Sequence, residues 1–165
     1  PPFKNTEDTE PSEELLKNAL FASLADAELV LRVFALQDAI VNKRSGSLRR
    51  ILDKFMDRNK DIGSSEENEL ETRFTQTLSR LVDVFDQAPF RLPTTKRPSR
   101  PLYDALMIAL SLKPQTDVES RKAEINAAMS RALSNRSSYE ILVGRGNTIE
   151  SVRQRVELAT YILQS

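Results

Sequence analysis

The chain has 165 residues, with 24 Lys plus Arg against 24 Asp plus Glu, a formal net charge of +0, 39% hydrophobic and 29% charged residues, and no Cys, His or Trp. Those absences exclude a disulfide framework, a Cys nucleophile, a Ser-His-Asp triad and a Cys/His zinc site. The balanced charge argues against a globally basic nucleic-acid binder and leaves only local patches open. The length suits one domain that buries roughly 70% of its unfolded surface.

No apolar run reaches the ~20 residues of a bilayer span, since the longest ones are broken at Arg32 and Asp38. Glu7, Asp8, Glu10, Glu13 and Glu14 stand where a signal peptide is basic and then apolar. A cytoplasmic protein without a membrane role is therefore expected. The chain opens Pro1-Pro2, which fits either removal of a methionine or a piece of a longer protein.

Residues 1–11 are polar, acidic and punctuated by Pro, and read as a linker or disordered terminus. From Ser12 the all-helical domain, 12–165, is expected, beginning with a short helix to about Phe21. Asp26 is a plausible N-cap for a helix to about Asn42, apolar on most faces (Leu29, Val30, Leu31, Val33, Phe34, Leu36) and so central. Ser45-Gly46-Ser47 breaks the chain, and Ser47 caps a helix whose Leu48, Ile51, Leu52, Phe55 and Met56 form a one-sided stripe. Ser64 and Glu67 have capping-box spacing ahead of a long helix to about Asp86, with Leu70, Phe74, Leu78, Leu81, Val82 and Phe85 on one face.

Residues 88–101 form the main irregular segment, with four Pro and a cluster of Arg91, Lys96, Arg97 and Arg100. Ser99 then caps a second central apolar helix, with Pro101 in its first turn and Pro114 as its stop. Asp117 is expected to start a helix over about 118–134, and Asn147 with Glu150 to cap a last one over about 148–163. The expected fold is all-α: a single domain of six or seven helices with two central apolar helices.

Two segments are candidates for chemistry. A β-like run over 139–143 followed by Gly144, Arg145, Gly146, Asn147 and Thr148 resembles a strand, glycine turn and helix N-terminus that present N–H groups to a phosphate. The third Gly of the fingerprint is replaced by Ile149 and no βαβ pattern surrounds it, so a plain turn feeding an N-cap is the competing reading. Arg91, Lys96, Arg97 and Arg100 suit a nucleic-acid backbone. Four phosphate contacts give a log–log salt slope of about −3.6 on duplex DNA. Lys43, Arg44, Arg49 and Arg50 form a second cluster. Composition favours solvated loops for both, and no aromatic residues interleave with the cations. Glu66, Glu67, Glu69 and Glu71 read as a charged surface, because catalytic carboxylates need burial to shift their pKa. Arg32, Asp104 and Glu28, charges on apolar helices, read as buried pairs or partner contacts. No metal spacing, cofactor site or catalytic constellation emerges.

Several blocks taken in order resemble the C-terminal helical half of the GmrSD-type, ParB-like nuclease family. They are the run from Asp26 to Leu36, that from Ser47 through Met56 to Asn59, Ala88-Pro89-Phe90-Arg91-Leu92-Pro93, and Arg100-Pro101-Leu102-Tyr103-Asp104-Ala105-Leu106-Met107. A closing Gly144-Arg145-Gly146-Asn147-Thr148 with Arg153 and Arg155 adds to them. The resemblance implies a bacterial or phage-related restriction or defence protein. Its N-terminal nuclease-like domain would carry a D-G-Q-Q-R type motif tied to nucleotide use and DNA cleavage. This sequence contains no such motif, so no catalytic residue carries over. The expected function is a non-catalytic helical module that supports that domain as its partner, with DNA contact through the basic loop. A stand-alone helical interaction or dimerisation module is the alternative.

Overall fold

A computed structural model describes residues 26–165. The linker expected over 1–11 and the helix expected from Ser12 lie outside them. The described residues form seven α-helices: α1 (Asp26–Val41), α2 (Leu48–Asn59), α3 (Ser64–Val84), α4 (Arg100–Leu112), α5 (Lys122–Ser134), α6 (Arg136–Val143) and α7 (Ile149–Leu163). No strand occurs among them, and one hydrophobic cluster draws on every helix, so the fold is an all-α single domain.

The helix starts follow side-chain capping where the chemistry is strongest. Ser47 Oγ accepts from the Arg50 N–H at 3.4 Å and Ser99 Oγ from the Leu102 N–H at 3.3 Å, satisfying donors that the first helical turn leaves unpaired. Two expected capping boxes fall one residue out. Gly63, not Ser64, is the N-cap of α3 and offers no side-chain bond. Thr148, not Asn147, caps α7, its Oγ1 accepting from the Ser151 N–H.

Two larger corrections concern the second half. The segment over 139–143, read as β-like, belongs to α6. Asn135 caps that helix through Oδ1, which accepts from the Ser138 N–H at 3.0 Å. The helix expected from Val118 begins four residues later at Lys122. Asp117 instead closes a tight turn by accepting from the Ser120 N–H at 3.1 Å and from the Ser120 hydroxyl.

The centre of the fold is α4, which buries every residue from Leu102 to Ser111. A stretch covered on all sides needs helices around its whole circumference, and α1, α3, α6 and α7 supply them. The second central place goes to α7, which buries Ile149, Val152, Arg155, Val156, Ala159, Ile162 and Leu163. Helix α1, expected to share the centre, buries Leu29, Val33, Phe34, Ala35, Leu36 and Ala39, whereas Val30, Leu31 and Ile40 are half-covered and Val41 is exposed. Each fully buried Leu or Ile contributes about 1.5–3 kcal/mol through removal from water.

The C-terminal end of α3 is fastened by polar contacts. Gln87 N–H returns to the Val82 carbonyl at 2.8 Å, and Asn126 of α5 donates to the otherwise unpaired Val84 carbonyl at 2.7 Å. Arg80 reaches across to the α4–α5 connection, bonding both Glu119 carboxylate oxygens (2.5 and 2.9 Å) and the carbonyls of Pro114 and Thr116 (2.6 Å each). This guanidinium holds the Glu119 carboxyl below its ordinary value of 4.5. The unfolded chain therefore takes up that proton first as pH falls. The contribution is complete at neutral pH and fades below about pH 4.5. Arg80→Ala should cost about 1–2 kcal/mol at neutral pH, modest because Glu119 is half in water. Urea melts should show that gap narrowing as the buffer is taken to about pH 3.5. An unchanged gap would remove the ion pair from the account.

Candidate functional site

The basic segment is a stiff tongue. Phe90 is buried at its base, its ring edge-on to Tyr103 (centroids 4.9 Å apart, 78°), and Tyr103 in turn donates to the Leu29 carbonyl at 3.0 Å. Outward from that anchor, Ser99 N–H bonds the Phe90 carbonyl at 2.8 Å, Leu92 N–H the Arg97 carbonyl at 3.0 Å and Lys96 N–H the Leu92 carbonyl at 2.9 Å, with Arg91 and Pro98 paired as an antiparallel bridge. Lys96 takes a left-handed φ of 55° to close the tip. The four expected cations are all exposed, but they are not equivalent. Arg100 pairs with Glu28 at 3.3 Å. The side chains of Arg91, Lys96 and Arg97 have no hydrogen-bond or ion-pair partner among the described residues.

The glycine turn is built differently from the phosphate cradle that its sequence resembles. Arg155, 3% exposed on α7, points its guanidinium into the turn from beneath. Nε donates to the Ile141 carbonyl at 3.1 Å, and Nη2 to the carbonyls of Gly144 (2.8 Å) and Gly146. The turn thus spends its carbonyls on a buried cation. Gly146 is required by close approach, because a Cβ there would lie 2.5 Å from Ser151 Oγ.

Beside this lies the ion pair that the sequence marked out. Arg32 of α1 donates through Nε to Asp104 Oδ1 at 3.1 Å and through Nη2 to Oδ2, a two-pronged contact whose carboxylate is completely buried. Burial pushes the Asp104 carboxyl above its ordinary value, against the pull of Arg32 and of the nearby Arg155 and Arg100. Glu28, the third charge, turns outward to Arg100 instead.

The second basic cluster comes beside the glycine turn. Ser47 and Thr148, the caps of α2 and α7, form an antiparallel bridge, and Arg153 of α7 donates to the Arg44 carbonyl at 2.9 Å. Of that cluster Arg44 engages Asp38 at 2.7 Å, a carboxylate that Arg58 of α2, outside the cluster, also holds at 2.8 Å. No family model, curated protein or solved structure matches the chain. No group of His, Cys, Asp and Glu suited to a metal ion, and no helix long and apolar enough to cross a membrane, occurs among the described residues.

Two features escaped the sequence reading. One is the buried tethering role of Arg155, whose signal was its place on the buried stripe of α7, three residues after Val152 and next to Val156. The other is an apolar groove of about 410 Å³ between α1, α2 and α3, floored by Leu31, Phe34, Phe55 and Leu70 and edged by Met56, 55% exposed, and by Glu67 and Glu71. The groove arises because α1 carries apolar side chains on two faces and α4 covers only one.

Proposed function

We propose that this chain is a non-catalytic helical module that braces a neighbouring domain of the same protein, of the ParB-like, GmrSD-type nuclease kind. The observation that supports this reading is the apolar groove. Solvated apolar surface of this kind marks a contact for another molecule, and Leu31 and Phe34 lie within nine residues of the start of α1. A domain joined ahead of residue 1 is tethered to this face through the first 25 residues, which raises its effective concentration there. The occupant is an apolar face of that domain flanked by a Lys or Arg for Glu67 and Glu71. The test is the intact mass of the native gene product, followed by amide hydrogen exchange. Expected are a mass well above 18.7 kDa, with the surplus on the N-terminal side, and exchange across the α1–α2–α3 face slowed at least about tenfold relative to this chain alone. A mass near 18.7 kDa, or identical exchange, overturns the reading in favour of a stand-alone interaction module.

Contact with DNA is a second reading, favoured by the three cations that the tongue holds out without carboxylate partners. With Arg100 engaged by Glu28, three phosphate contacts give a log–log salt slope of about −2.7 on duplex DNA. Lys96→Glu/Arg97→Glu should abolish the binding in a titration at two salt concentrations. No binding of the parent chain at low salt sinks DNA contact.

A further inference from the structure

A cleft of about 700 Å³ opens between α6, the glycine turn and α7, with Arg136, Ser137, Glu140, Gly146, Ser151 and Arg155 in its lining. We propose that it binds a small molecule through an oxyanion, phosphate or carboxylate, held by Arg155 and Arg136.

The central observation is the state of the Arg155 guanidinium. Its Nε and Nη2 are saturated by three backbone carbonyls, while Nη1 donates to nothing. Every side-chain nitrogen and oxygen fully enclosed among the described residues has a partner. Nη1 therefore keeps contact with solvent, and Arg155 lines the cleft. The cation bonds no carboxylate: Asp104, whose charge acts on it, is taken in two-pronged fashion by Arg32. Two guanidinium groups thus lie in the field of one carboxylate that only Arg32 bonds, and Arg155 is the one that lines the cleft.

Carbonyl dipoles solvate a guanidinium but do not neutralise it. An anion at Nη1 would form a charge-assisted bond where little water competes. Burial already holds the Arg155 guanidinium below its ordinary value, which an anion would reverse. Arg136, exposed on the first turn of α6, supplies a second cation at the mouth. The hydroxyls of Ser137 and Ser151 offer further bonds.

The remaining lining narrows the ligand. With Arg155 only 3% exposed, the oxyanion has to enter as the end of a slim molecule. Glu140, a carboxylate on the same wall, would repel a ligand that is anionic throughout. It suits one that carries a hydroxyl or ammonium group a few atoms from its phosphate or carboxylate.

Arg155 also tethers the turn, so the test leaves it in place. Inorganic phosphate, and separately acetate, is titrated into the labelled chain at ionic strength matched with chloride, following the Arg155 Nε–H and Gly146 amide signals by NMR. Saturable movement of both signals with one of these anions is expected, phosphate or acetate telling which oxyanion the cleft prefers. Arg136→Gln should weaken it at least about fivefold, whereas Lys113→Gln, an exposed cation outside the lining, should leave it unchanged. Shifts that stay linear to about 50 mM or that chloride reproduces, or equal weakening by the two variants, would overturn the proposal.

Discussion

Asp104→Ala should destabilise the domain by about 3–5 kcal/mol, the cost of breaking a buried ion pair from one side, and lower its Tm by roughly 10 °C. Asp104 lies at the centre of α4 with no exposed surface, and its carboxylate bonds Arg32 and exerts its field on the buried Arg155. Removing it leaves two guanidinium groups, each within the other's field, in a site that water enters poorly. The size of the loss says nothing about whether the pair itself stabilises the fold, because most of it is the penalty of the orphaned cation. Arg32→Met/Asp104→Leu separates the two: replacing both partners by apolar groups should recover most of the loss. Chemical denaturation of the three proteins decides it. A single variant within about 1 kcal/mol of the parent would mean that Arg32 swings out to solvent at little cost.

Gly144→Ala is the second large effect, expected at about 3 kcal/mol. The reason is contact and not backbone freedom, since Gly144 sits at φ −62° and ψ 169°, which any residue adopts. An added Cβ would stand 2.1 Å from the Glu140 carbonyl oxygen. That oxygen also accepts the Gly144 N–H at 3.0 Å, so the last turn of α6 and the start of the glycine turn would have to part. The carbonyl that Gly144 gives to Arg155 would move with them. Gly63→Ala is the matched control, because nothing lies within 4 Å of its notional Cβ. It should cost no more than about 1 kcal/mol, because the preference for Gly over Ala at the N-cap of α3 is partly offset by a stiffer unfolded chain. Equal thermal melts for the two variants would show that α6 gives way freely.

Much of this architecture was legible in the sequence wherever one strong local signal met no rival. Ser47 and Ser99 announced their helices, and the unbroken apolar run from Leu102 announced the central one. Arg32 and Asp104 stood out as charges among apolar neighbours, and they proved to be each other's partners. The sequence misled where a local preference was overruled from a distance. Tyr139, Ile141 and Val143 favour strands, yet packing against α5 and α7 and a cap from Asn135 make their segment helical. Asp117 was a sound turn former, but its bonds to Ser120 close a turn and delay the helix. The glycine turn shows the deepest gap. Its residues suggest N–H groups offered outward, and only the depth of Arg155 reveals carbonyls drawn inward. The groove was equally hidden, since sequence shows that α1 is apolar nearly all round but not which face α4 leaves uncovered.

The partnership between α4 and α7 has a consequence for how the chain acquires its structure during synthesis. The helix that completes the cover over the most apolar segment is the last of the seven to be made. Until it arrives, the row from Leu102 to Ser111 has no wall on that side, and Arg155 cannot yet reach the glycine turn behind it. The Ser47–Thr148 bridge likewise joins the start of α2 to the start of α7, a contact that cannot form early and that slows folding through its long separation in sequence. The nascent chain therefore waits, partly collapsed and prone to stick to itself, and a message cut short within α7 should yield an aggregating product instead of a slightly smaller domain.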